Sequence, residues 1–250
     1  MGTEPVARAE RLPMAVMDGV AADPADVGWR PMFRVASVTA IVVTCLIPVQ
    51  AAVFLLSPPP GTVPGYFALF QRNPFLGLLD LDLLLSLDYL LMVPLYLALF
   101  LALRRQARTP SLLALVSGLF SVVLFLVSRE ATFSMWMLSS QYAATSDPAQ
   151  QAALLASGQL LLTAYNGGTF GVSYVLGAVS TLLFSWSLWR HRTFGPAPGI
   201  VGLVTGVTRL VPPNTGTPGL VLSLVSLIPT MVWLVLLARA FARAARGQAF

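Results

Sequence analysis

The chain has 250 residues, 56% of them hydrophobic and 10% charged, whereas a soluble globular domain carries about 25% charged residues; a water-soluble fold of this size could not hide so much apolar surface. The net charge is +5, and all 15 basic residues are Arg. They gather at the ends of apolar runs, which reads as membrane orientation and not as a nucleic-acid surface. One Cys, Cys45, and one His, His191, exclude an internal disulfide, a thiolate metal cluster, a multi-histidine zinc site and a His-based triad within the membrane.

Several apolar stretches reach the roughly 20 residues that an α-helix needs to cross a hydrocarbon core of about 30 Å. Lipid leaves backbone polar groups no partner but each other, so these stretches must be helices. They do not alternate as transmembrane β-strands would. The expected fold is therefore all-α, a polytopic transmembrane helical bundle. Residues 1–29, polar and acidic, read as a flexible cytoplasmic tail, followed by a six-helix transmembrane domain over 30–250. The first span runs from about Phe33 to Ser57, with Pro48 inside it, and a loop at Pro58-Pro59-Pro60-Gly61 ends it. The second covers about Phe75 to Leu103, and the third about Pro110 to Tyr142. Asp147-Pro148 starts the fourth, with a polar N-cap before Pro. It reaches Trp189, with a break expected at Asn166-Gly167-Gly168. A short fifth covers about Pro198 to Val211, and the last about Pro218 to Ala245.

Arg counting orients the bundle. Arg30, Arg34, Arg104, Arg105, Arg108, Arg190, Arg192, Arg239, Arg243 and Arg246 all fall on one side if there are six spans with both termini in the cytoplasm. Trp29, Trp186 and Trp189 then form an inner aromatic belt, and Tyr66, Phe67, Trp136 and Tyr142 an outer one. The use of Arg without Lys, together with abundant Ala, points to a GC-rich bacterial genome and hence to a bacterial plasma membrane. Spans three and four are too long for the core, roughly 50 and 64 Å at 1.5 Å per residue. The excess lies on the outer side and implies an antiparallel helical hairpin around 133–165.

Six embedded charges stand out: Asp80, Asp82, Asp88, Arg129, Glu130 and Arg209. Counted from the inner helix ends, Arg209 lies about 18 Å up, Asp88 about 22 Å, Arg129 and Glu130 about 27–28 Å, and Asp82 about 31 Å. A charge near mid-bilayer costs at least about 2.5–3.5 kcal/mol, so it takes a partner or a water-filled cavity. Asp88, Arg129, Glu130, Arg209, Asn166 and Tyr174 are thus candidates either for a polar pocket or for ion pairs that lock helices. Asp88, the deepest acid, is expected within about 4 Å of Arg209 or Arg129. Asp80 and Asp82 are assigned to the interface. No nucleophile–base pair, metal set or cofactor motif is visible, and the chain reads as non-enzymatic. Ser117, Ser121, Ser128, Thr132, Met135 and Ser139 share one helical face, expected to pack against another helix of the chain.

The segments LLDLDLLLSLDYLLMVPLYLALFLALRR at 78–105, SREATFSMWMLSSQYA at 128–143, YNGGTFGVSYVLGA at 165–178 and WRHRTFGPAPGIVG at 189–202 resemble an uncharacterised bacterial membrane family, domain of unknown function 4386. The resemblance implies a multi-helix bacterial membrane protein and carries no activity or catalytic residue with it. The functional expectation is binding of an unknown membrane partner or small molecule within the bilayer, with transport through the outer-half polar cluster as the alternative.

Overall fold

The computed structural model describes residues 28–247, so nearly all of the expected N-terminal tail lies outside the described residues. The regular elements among the described residues are ten α-helices and one 3-10 turn: α1 (Arg30–Leu56), α2 (Val63–Arg72), α3 (Pro74–Asp80), α4 (Leu83–Leu103), α5 (Arg108–Ser128), α6 (Ala131–Ala144), α7 (Pro148–Tyr165), α8 (Gly168–His191), α9 (Pro196–Thr208), the turn Pro213–Thr215, and α10 (Thr217–Ala245). Among the described residues, five stretches are long and apolar enough to cross a membrane: Arg30–Leu56, Leu83–Leu103, Arg108–Ala144, Pro148–His191 and Thr217–Ala245. Exposed Val35, Val38, Ile41, Val123, Val127, Val221 and Ile228 cover their outer faces with the apolar surface that lipid requires.

Local chemistry explains where the helices begin. Thr62 caps α2 by accepting from the Gly65 amide at 3.3 Å, Asn73 caps α3 by accepting from Leu76 at 3.1 Å, and Asp147 caps α7 by accepting from Ala149 at 3.2 Å. In each case Pro stands in the first helical turn, where its missing N–H costs nothing.

Three elements differ from expectation. Residues 63–72, left between spans in the sequence reading, form α2, which buries Val63, Tyr66, Phe67 and Phe70 at the i, i+3, i+4, i+7 spacing of an amphipathic helix. Tyr66 and Phe67 are therefore core residues, 4% and 1% exposed, and not part of an aromatic belt. The second span is not continuous: it breaks at Leu81-Asp82, where Asp82 adopts a left-handed conformation with φ 63°. Asp is one of the few non-Gly residues that tolerates this region. The third span also breaks, at Arg129-Glu130. The break expected at Asn166-Gly167 is present between α7 and α8.

Packing gathers the chain ends of the long helices. Phe33 of α1 stacks on Phe241 of α10 at 6.0 Å, and the Ser37 hydroxyl donates to the Ala238 carbonyl, so the first and last helices run antiparallel with the start of one beside the end of the other. Phe194, just after α8, meets the same Phe241 edge-on, Thr193 donates to Gln106 between α4 and α5, and Arg104 lies 5.8 Å from the Trp29 ring. All ten flanking Arg thus belong to one end of the bundle. At the other end α2, α3, α6 and α7 form a cap with its own small core of Val63, Tyr66, Phe67, Phe70, Leu81 and Met135. The expected hairpin at 133–165 is helical, supplied by α6 and α7.

The small face expected on span three packs inside the chain. Ser121 donates to the Ser173 carbonyl of α8, Ser180 of α8 donates back to Ala114, Thr132 donates to Leu81, and Ser139 to Phe67. Ser121, Ser128, Thr132, Met135 and Ser139 are buried, and Ser117 is half-buried. Against α8, α9 runs antiparallel in a register set by glycines. A Cβ on Gly199 would meet the Trp189 backbone at 2.5 Å, one on Gly202 would meet Ser185, and one on Gly206 would meet Leu182. Beyond α9, the Asn214 amide reaches the carbonyl of Asn166, at the far end of α8. The stretch from Gly199 to Asn214 therefore runs the length of α8, although α9 itself has only 13 residues.

Candidate functional site: a polar cavity under the cap

The two unexpected helix breaks meet. The left-handed turn at Asp82 and the C-cap at Arg129 bring the two side chains together, with Arg129 Nε 2.9 Å from Asp82 Oδ2. This is an ion contact without hydrogen-bond alignment at Nε. The guanidinium makes its hydrogen bonds through Nη1, donating to the Tyr165 carbonyl at 3.0 Å and to the Ser128 hydroxyl at 3.2 Å. It also lies 4.0 Å from the Tyr165 ring centroid, 4.3 Å from Phe170 and 4.5 Å from Phe125. Arg129 is 5% exposed. Burial strengthens each of these interactions because water no longer screens them. The Tyr165 hydroxyl donates to the same Asp82 Oδ2.

The pairing corrects the expectation for Asp88. Among the described residues Asp88 makes no ion pair, and its Oδ1 is buried without a hydrogen-bond partner. Arg129 is held by Asp82, and Arg209 lies 5.3 Å from the ring of Tyr174. Depth along straight helices had placed Asp88 between the two Arg, but depth carries no azimuth, and both helices turn at the breaks. Asp82, assigned to the interface on sequence, is the true partner.

Two adjoining cavities contain most of the candidates. The larger, about 350 Å³, is walled by Gln50 and Phe54 of α1, Tyr66, Asp80, Asp82, Arg129, Tyr165, Asn166, Phe170 and Asn214. Its rim includes the exposed Gly61, Asn166 and Asn214. The smaller, about 220 Å³ and mostly apolar, lies deeper in the bundle and takes in Asp88, Tyr174, Arg209 and Trp233. Phe170 and Pro213 border both. Glu130 faces neither and is exposed. Asp80, Gln50 and Tyr66 are wall residues that the sequence reading did not place in the candidate site, Asp80 having been assigned to the interface and Tyr66 to the outer aromatic belt. Asp80 carried a signal, a carboxylate two positions from Asp82, whereas Gln50 carried none.

Asp80 and Tyr66 lie in the cap, outside the five membrane-length stretches. Burial raises the Asp80 carboxyl above the usual carboxylate range, opposed by the Ser57 hydroxyl, which donates to Oδ2 at 3.4 Å. Burial, reinforced by the Asp80 and Asp82 carboxylates, pushes the Tyr66 phenol up to about 12, so it stays a neutral donor. The Tyr165→Phe variant isolates one link of the network. A hydrogen bond to a charged group contributes about 1.5–3 kcal/mol, so thermal unfolding of this variant is expected to show a loss of that size, with the fold retained.

No curated protein and no solved structure matches the chain. A family model described as a domain of unknown function, DUF4386, matches residues 41–242, which include every wall residue of both cavities. The helices that build the site are thus those of the family domain, and the chain belongs to that family of unknown function.

Proposed function

We propose that this chain is a non-enzymatic, six-span protein of the bacterial plasma membrane, with both termini in the cytoplasm, that binds a small molecule in the cavity beneath its outer cap. The observation that carries the reading is that cavity: about 350 Å³, lined by polar and aromatic side chains, with an exposed rim and a buried Arg129 paired to a half-buried Asp82 in its wall. Concave sites with a few convergent polar groups are where small ligands bind. Six crossings are supported by the antiparallel pairing of α1 and α10, which needs an even number, and by the run of residues 199–214 along α8. The Arg cluster marks the cytoplasmic end. The cap then sits at the outer surface, and its exposed Phe75, Phe133 and Leu160 suit the headgroup boundary.

Topology is tested by single cysteines. In a Cys45→Ser background, Gly61→Cys, Asp147→Cys and Asn214→Cys are each expected to react with a membrane-impermeant maleimide in intact spheroplasts. Reaction of any of them only after permeabilisation overturns the orientation. The binding reading is tested by thermal shift with a small-molecule library on the detergent-purified full chain. Hits are expected to disappear in Asn214→Trp, which fills the mouth; hits unaffected by it would place binding elsewhere. Transport is a second reading, favoured by the deeper Asp88–Arg209 cavity that shares Phe170 and Pro213 with the first.

A further inference from the structure

We infer that the ligand of the cap cavity is a small organic cation, a primary ammonium group on an apolar body, anchored by Asp80 and Gln50. This deepens the binding reading above and rests on it. The wall holds three charges, and two of them neutralise each other: Asp82 is paired with Arg129. Asp80 is left over. It is 8% exposed, and among the described residues its Oδ1 has no hydrogen-bond partner and its Oδ2 accepts only the long contact from Ser57. Gln50 Oε1, from α1 on the same wall, is also buried without a donor. Both unsatisfied atoms are acceptors. Burying an acceptor without a donor costs about 1–3 kcal/mol, and more for a charged group, so these two atoms call for donors and the Asp80 carboxylate for one positive charge. An ammonium supplies three donors and that charge.

The alternatives fit the same wall less well. An anion would need Arg129, but its guanidinium is enclosed by Asp82 and three aromatic rings. A bare metal ion would leave most of a 350 Å³ space unfilled, against walls that include Phe54, Tyr66 and Phe170. Those rings suit an apolar body, and ring faces attract cations.

Three nearly isosteric probes separate the charge classes: benzylamine, benzyl alcohol and benzoate. Each is titrated calorimetrically against the full chain in nanodiscs at neutral pH. Benzylammonium is expected to bind at least tenfold more tightly than either of the others. Asp80→Asn is expected to remove that preference while leaving the weak alcohol binding in place. Gln50→Glu adds a second carboxylate and is expected to tighten benzylammonium and weaken benzoate, each several-fold. A gain of affinity cannot arise from misfolding. Benzoate binding best, or a preference for benzylammonium that survives Asp80→Asn, would overturn the ligand class and leave the binding cavity standing. Absence of binding by all three probes would overturn the cavity reading and this inference together.

Discussion

Replacing Arg129 with Gln is expected to destabilise the protein more than any other single charge removal in the bundle. The guanidinium is buried against Asp82, bonds the Tyr165 carbonyl, and is faced by Tyr165, Phe170 and Phe125. Removing one member of a fully buried pair leaves the other charge uncompensated and costs about 3–5 kcal/mol; the Asp82 side chain is 19% exposed, so the loss is expected toward the lower end of that range. Arg129→Lys is expected to recover only part of this, because a point charge cannot reproduce the planar fork that bonds and stacks at once. The double variant Asp82→Asn/Arg129→Gln is expected to be more stable than Arg129→Gln alone, since the stranded carboxylate is gone. Asn tolerates the left-handed backbone at position 82, so that exchange removes charge without new strain. Asp88→Asn is the contrast. Asp88 has no ion partner among the described residues, so its removal leaves no Arg stranded, and the change is expected to stay below about 1 kcal/mol. Chemical unfolding in detergent micelles reads all four variants. An Asp88→Asn loss equal to that of Arg129→Gln would mean that the essential pair has been misidentified.

The second large effect is expected at Gly199. In an ordinary helix interior, Gly→Ala gains up to about 1 kcal/mol. Here a Cβ would meet the Trp189 amide nitrogen at 2.5 Å and its Cα at 2.6 Å, and backbone cannot rotate aside as a side chain can. Overpacking of this kind costs about 1–3 kcal/mol, which outweighs the propensity gain and reverses the sign. Gly199→Ala is therefore expected to lower the melting temperature by several degrees, and Gly199→Leu to prevent α9 from seating against α8. The control is Gly61→Ala, where a Cβ meets nothing within 4 Å and φ is not positive. It is expected to be neutral. Equal melting of Gly199→Ala and Gly61→Ala would show that the two helices do not approach as closely as the structure has them.

The membrane-length helices, the Arg-rich end and the buried small face of α5 were legible in the sequence because each follows from local rules. Apolar length dictates helix in lipid, Arg marks helix ends, and serines spaced three, four or seven apart share a face whatever that face meets. The cap was half legible: excess length announced α6 and α7, but α2 was hidden because its apolar face, Val63, Tyr66, Phe67 and Phe70, gains stability only when Met135 and Leu81 cover it. The site was decided by tertiary structure. Composition named Arg129 and the aspartates, but counting residues along ideal helices yields depth and no direction. Two breaks, at Asp82 and at Arg129, swing side chains that a continuous helix would hold elsewhere, so the Asp82–Arg129 pair replaces the expected pairing of Asp88. Gln50, Asp80 and Asn214 reach one cavity from residues more than 160 positions apart. No periodicity within a single helix encodes such a meeting, because it depends on which helices pack together and at what rotation.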